Sequence, residues 1–213
     1  MRILIIIGVV ISFWSCRKSE QYVSTNMYYS YYPVEVNSWI EYEVEEVFHT
    51  SFGSDTIRYF LKEIITEDFT DDQGRNTQRI ERFWKDSLSG NYSLKDVWYS
   101  NVTNTTAEKV EENIRFTKLI FPISDSKSWD GNALNTMGTW EYELDSIHTE
   151  KTINSLYFDS TITVLQIDNV NPFQYQVASE TYANHVGLIQ KDYINIDNEE
   201  GSELRLHVIS YGQ

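Results

Sequence analysis

The chain of 213 residues has one cysteine, three prolines and nine glycines, and its 17 Lys and Arg are outnumbered by 32 Asp and Glu. A single thiol cannot close an internal disulfide, so the fold must stand without that staple. The formal net charge of -15 leaves few cations to replace the counterions of phosphate groups. Nucleic acid and anionic lipid surfaces are therefore excluded as main partners. Nothing reads as a long linker, and there is no internal repeat.

Signals for chemistry are equally sparse. His49, His148, His185 and His207 are far apart in the chain, and no His-x-x-x-His or Cys-His spacing of a zinc site occurs. There is no Gly-x-Ser-x-Gly elbow, no Ser-x-x-Lys set, no Gly-rich phosphate loop and no dinucleotide fingerprint. No catalytic residue, metal or cofactor is assigned, and the expectation is a protein that is not an enzyme. Acidic and amide side chains gather at 71–74, 125–135 and 197–203, where calcium would be the natural cation. None of the three has the spacing of an EF-hand.

What is present starts at the N-terminus. Arg2 is followed by an apolar run, Ile3 to Ile11, and then by Ser12-Phe13-Trp14-Ser15-Cys16. The run is too short to cross a bilayer, which takes roughly 20 apolar residues, and Arg17, Lys18 and Glu20 end it. A short basic region, an apolar stretch and a small residue before the break make a signal peptide. Ser15-Cys16 at its end resembles the lipobox of bacterial lipoproteins, in the looser form found in Bacteroidetes, with Phe13 and Trp14 where a leucine and a small residue are usual. The resemblance implies cleavage before Cys16 and lipidation of its thiol. More than one acyl chain on that residue would anchor the protein to a membrane stably. Arg17, rather than an aspartate, after the cysteine implies the outer membrane, and the absence of an acidic cluster there implies its periplasmic leaflet.

The chain then divides into a signal (1–15), a lipidated cysteine with a polar tether (16–27) and a single domain (28–213). At about 3.3 Å per residue the tether reaches roughly 35 Å. The segment from Tyr31 to Tyr42, with Pro33, Trp39 and Tyr42, resembles the start of uncharacterised Bacteroidetes lipoproteins, with Asn37 where a glycine is expected.

Aromatics make up 15% of the chain, with fifteen Tyr and six Trp, as in a Tyr- and Thr-rich sheet. From Trp39 the pattern alternates, with Ile40, Tyr42 and Val44 on one face and Glu41, Glu43 and Glu45 on the other, the period of a half-buried strand. The pattern slips at 46–48, which predicts a bulge. A turn at 51–55 leads to a second strand whose Arg58 and Lys62 face the glutamate row, and a turn at 70–76 opens a third, Thr77 to Trp84. Further strands are predicted at 94–102, 114–123, 139–147, 156–167, 174–182, 186–196 and 204–210, the last two joined by a hairpin turn at 198–201. Ala107 to Asn113 reads as a short helical turn. About ten antiparallel strands predict an all-β fold, a curved sheet, half-barrel or lipocalin-like barrel.

The segment from Ser128 to Tyr142 sets Trp129 and Trp140 around a loop of Asp130, Asn132 and Asn135. That mixture can stack on a sugar ring and hydrogen-bond its hydroxyls, so these five residues are the candidate ligand site. The expected partners are the membrane, through Cys16, and a small apolar or glycan ligand or an envelope protein. A structural part in an outer-membrane assembly and a carboxylate-pair hydrolase of envelope glycans are the alternatives.

Overall fold

The structure is a computed structural model and describes residues 26–213. The signal peptide, Cys16 and nearly all of the tether lie outside the described residues. Twelve strands form one sheet: β1 (Trp39–Thr50), β2 (Gly53–Thr70), β3 (Asn76–Lys85), β4 (Ser93–Val102), β5 (Thr106–Glu111), β6 (Ile114–Ile120), β7 (Ser128–Asp130), β8 (Glu141–Ile153), β9 (Leu156–Val170), β10 (Gln174–Ala183), β11 (Gly187–Asp197) and β12 (Glu200–Gly212). Their order is β6-β5-β4-β3-β2-β1-β12-β11-β10-β9-β8-β7. Every pairing is antiparallel.

Each strand thus lies beside its neighbours in sequence, and β1 beside β12. The result is an up-and-down meander curled into a nearly closed barrel, with the two edge strands, β6 and β7, at its seam. No backbone ladder joins them. The seam is closed by β7 and the loop that follows it: Thr117 N donates to Gly131 O at 2.9 Å, Trp129 Nε1 to Thr117 O at 2.9 Å and Asn135 Nδ2 to Arg115 O at 2.9 Å.

Two strands beyond the predicted ten appear, and each has a physical reason. Residues 107–113, expected as a helical turn, are β5 and its hairpin to β6. Glu112 and Asn113 both take positive φ, 50° and 64°, the two-residue turn whose twist suits adjoining strands. The inward row of β5 includes Lys109 and Glu111, so it lacks the apolar face by which a half-buried strand is recognised. β7 is three residues long and sits inside the predicted ligand loop. The bulge expected at 46–48 is absent, since β1 pairs with β2 without a break from Trp39 to Thr50. A register shift occurs instead between Glu41 and Tyr42, on the side facing β12.

The predicted alternation in β1 holds: Tyr42 and Val44 are in the core, while Glu45 pairs with Arg58. Two apolar clusters fill much of the interior. One gathers Tyr31, Leu119, Phe121, Tyr142, Ile162, Val164 and Tyr182. The other gathers Tyr42, Val44, Leu61, Phe158, Ile189, Leu206 and Val208.

The chain enters the sheet through a strap, residues 28–38, with a single 3-10 turn at Tyr29–Tyr31. It is fastened to the sheet by Asn37 N to Ile65 O (2.7 Å), Ile65 N to Ser38 O (3.0 Å) and His185 N to Ser30 O (2.7 Å). Gly187, at φ +99°, lies against it: a Cβ there would meet Pro33 Cδ at 3.3 Å and Ile40 Cδ1 at 3.6 Å.

Candidate functional site

The inward parity of several strands carries charge where apolar residues would be expected. In β2, Glu63 continues the row of Tyr59 and Leu61; in β3, Arg82 continues from Ile80; in β10, Glu180 lies between Ala178 and Tyr182. Antiparallel pairing sets Arg82 opposite Glu63 and opposite Asp96 of β4. Arg82 reaches Glu63 and Asp96 at 2.9 Å each, and its guanidinium stacks 3.4 Å from the centre of the Trp98 ring. Lys109 takes the second oxygen of Glu63 at 2.9 Å. Lys118 bridges Glu111 and Glu180, both at 2.9 Å, and Lys191 lies 3.2 Å from Glu180. The Tyr182 hydroxyl donates to the other Glu180 oxygen at 2.6 Å.

Unpaired charges at such depth would be very costly, and the pairing shows in the acidities. Burial alone would raise the carboxyl of Glu180, yet Lys118 and Lys191 pull it down to about 2. Glu111 is likewise held far below the carboxylate range, against its burial, by Lys118 and Lys191. Burial opposes the charge of Glu63 too, and Lys109 and Arg82 still lower it. Lys118 is pushed well above the usual lysine range by Glu111 and Glu180, which outweigh its desolvation.

Above this charged floor is a cavity of about 80 Å³. Glu63, Lys109, Glu111, Lys118 and Glu180 line its base, and Tyr32, Pro33, Trp39, Ile40, Ile80 and Leu188 line its walls. The strap forms one side. The Tyr42 hydroxyl donates to Leu188 O at 2.8 Å, whereas the Tyr32 hydroxyl has no hydrogen-bond partner among the described residues. Burial raises the Tyr32 phenol far above its ordinary range, with Lys118 opposing the rise and Glu111, Glu180 and Glu63 adding to it. A second hollow, of about 270 Å³, shares Tyr32 and Pro33 and runs between Tyr29, Val34, Glu35, His185 and Gln213. It holds no comparable charge cluster.

The structure brings the five predicted ligand residues together, but their polar atoms bind the protein itself. Asp130 Oδ1 accepts from Asn132 N and Trp140 N, both at 2.9 Å. Asn132 Nδ2 donates to Gly138 O at 2.8 Å, Asn135 Nδ2 to Arg115 O, Trp129 Nε1 to Thr117 O and Trp140 Nε1 to Gln166 O at 2.7 Å. The two indoles also pack edge-on against Tyr142. The loop seals the seam.

No family model matches the chain, and no curated protein matches it. Among solved structures, the fold is similar to that of a candidate lipoprotein of Parabacteroides distasonis ATCC 8503, at 9% identity and TM-score 0.45, over 85% of this chain and 98% of that one. It is also similar to a candidate exported protein with YmcC-like fold from Bacteroides fragilis NCTC 9343, at 11% identity and TM-score 0.42, over 84% of this chain and 98% of that one. Neither likeness bears on what this chain binds.

Among the described residues, one serine hydroxyl lies within reach of a histidine ring nitrogen. Ser160 Oγ is 3.4 Å from His148 Nδ1, but the Tyr31 hydroxyl holds that nitrogen at 2.7 Å and Ser160 itself at 2.7 Å. The trio ties the strap to β8 and β9. Among the described residues, no group of three or more His, Cys, Asp or Glu side chains is arranged to hold a metal ion. The interior charges are not singled out by the sequence reading, because a lone charged residue in a strand does not show which way it faces. Their signal was parity: a Lys, Arg or Glu in the same alternating row as core residues of its own strand.

Proposed function

We propose that this chain is an envelope lipoprotein, lipidated on Cys16 and held at the periplasmic leaflet of the outer membrane, whose barrel binds a small ligand in the cavity under the strap. The observation that carries the binding reading is the cavity with its ionised floor, where the Tyr32 hydroxyl has no hydrogen-bond partner among the described residues. A molecule entering the cavity finds there both ionised side chains and apolar walls, the mixture of a small-molecule site. The cavity holds on the order of five water-sized sites, which suits a compact polar molecule and is too small for an acyl chain or a sugar chain.

A non-catalytic role is supported by the acidities. A glycosidase needs one carboxyl kept protonated near neutral pH, and Glu63, Glu111 and Glu180 are all shifted the other way.

Two measurements test the reading. Labelled palmitate should enter the wild-type protein in its native host and not the Cys16→Ala variant; equal labelling of both overturns the anchor. A screen of small polar fragments by NMR should move the Trp39 indole signal. Fragments that move only Trp129 and Trp140 would shift the site to the seam loop.

A further inference from the structure

We infer that the outer face of β9, β10 and β11, near their turns at the end of the barrel away from the strap, docks a partner polypeptide that presents apolar side chains flanked by lysine and arginine. This surface is separate from the cavity. Ala178 and Glu180 of β10 are fully buried inside the barrel, so the alternate residues Tyr175 and Val177 stand on its outside. The register sets Tyr175 between Val170 and Ile196, and Val177 beside Ile194. Val170 is 57% exposed and Tyr175 47%, and Phe173 stands out from the turn between β9 and β10.

The turn holds this display in place. Asn171 Oδ1 accepts from Phe173 N at 3.0 Å and from Gln174 N at 3.1 Å, and Phe173 O accepts from Asn198 N of the neighbouring turn at 2.7 Å. Scattered exposed apolar residues are ordinary on a protein surface, whereas a contiguous patch marks an interaction site.

Charge selects the occupant. Between Lys127 and Arg205 the chain has thirteen Asp and Glu and only two basic residues, Lys151 and Lys191. Lys191 turns to Glu180 at 3.2 Å, Lys151 donates to Thr181 at 3.1 Å, and Arg205 is held by Glu45 and Glu203. Asp168 lies opposite Val177 and Glu203 opposite Ile194, while Asp197 and Glu199 are exposed at the next turn. The apolar side chains are thus bordered by an excess of carboxylates. A second copy of this chain, or an anionic bilayer, would set like charges against them, whereas a basic segment meets both the apolar centre and the acidic border. The footprint agrees with a segment: three strands about 4.8 Å apart, with Phe173 beyond two rows, cover on the order of 300 Å², well short of the roughly 800 Å² that each member of a stable globular pair contributes.

The test follows the amide NMR spectrum of the protein as a short amphipathic peptide of Leu and Lys is added, beside one with Ser for every Leu and one with Glu for every Lys. The Leu-Lys peptide should shift the amides of Tyr175, Val177 and Ile196 and bind at least about tenfold more tightly than the Ser-Lys peptide, the gain expected from burying a few apolar groups. The Leu-Glu peptide should not bind. Phe173→Ser and Tyr175→Thr should each weaken the Leu-Lys peptide several-fold, whereas Phe52→Ser, at another hairpin tip, should not. Phe173 is in a turn, so its variant should keep the wild-type unfolding curve and remains informative if Tyr175→Thr disturbs the sheet. Equal binding of the Ser-Lys peptide would reduce the effect to net charge, equal binding of the Leu-Glu peptide would refute the basic partner, and a Phe173→Ser variant that binds as the wild type does would refute the surface. Dimerisation in the ultracentrifuge, or binding to phosphatidylglycerol vesicles, that Phe173→Ser abolishes would give the face to a second copy or to a bilayer and overturn the proposal. None of these outcomes involves the Trp39 signal that reads the cavity.

Discussion

Lys118 Nζ meets Glu180 Oε1 at 2.9 Å, although β6 is the first strand in the sheet order and β10 the ninth. The contact exists only because the sheet curls far enough to bring distant strands face to face. Removing one partner of a buried pair strands the other's charge, at a cost of about 3–5 kcal/mol. Lys118→Met leaves both Glu111 and Glu180 short of a cation. Its unfolding midpoint in urea should fall accordingly, and a loss below about 1 kcal/mol would mean the cluster contributes little.

Acid should undo the same cluster. Glu63, Glu111 and Glu180 are held below the carboxylate range in the folded chain. Their stabilisation is therefore fully present above the unfolded value of 4.5 and is lost as pH falls towards about 2, where Glu180 titrates. Urea unfolding at several pH values reads this directly. A midpoint unchanged between about pH 6 and pH 3 would contradict it.

At the seam, Gly131 has no room for a side chain, because a Cβ would lie 2.4 Å from Tyr142 Cζ. Gly131→Ala should destabilise the barrel by about 1–3 kcal/mol, the cost of overpacking. Asp130→Ala should act similarly by releasing the backbone N–H groups of Asn132 and Trp140. In both variants the Thr117 amide should exchange with deuterium faster than amides in the middle of β1, which checks that the seam and not the whole barrel has opened.

The hairpin tips behave differently. Phe52 is fully exposed and Phe173 is 69% exposed. Replacing both with Ser should leave stability within about 0.5 kcal/mol, as read by urea unfolding. A large loss of stability would show that the tips are packed in a way the present contacts do not reveal.

Much of the fold was legible because most strands have an apolar row. Ile40, Tyr42 and Val44 gave β1, and the short polar turns gave its partners. Lys109 and Glu111 hid β5, since charges facing a closed interior look the same in one dimension as charges facing water. The seam loop is a related case: Trp129, Asp130 and Asn135 have the chemistry of a sugar site, and the structure uses polar atoms of Trp129 and Asn135 to join β7 and its loop to β6. Nothing local in the sequence tells a loop that binds a guest from a loop that closes its own barrel. The floor of the cavity draws residues from β2, β5, β6 and β10, so its convergence is a property of curvature.

The strap gives the molecule a mechanical polarity. A pull on the chain ahead of Asn26 reaches the barrel first through Met27 and Tyr29 and then through the bonds of Ser30, Tyr31, Asn37 and Ser38, while the strands behind them share long ladders. Tension along the chain would thus peel this short segment before it sheared the sheet, and the first space uncovered would be the one beside Tyr32. Under the proposed binding role, tension on the N-terminal chain and release of a bound molecule would be the same coordinate, run in one direction.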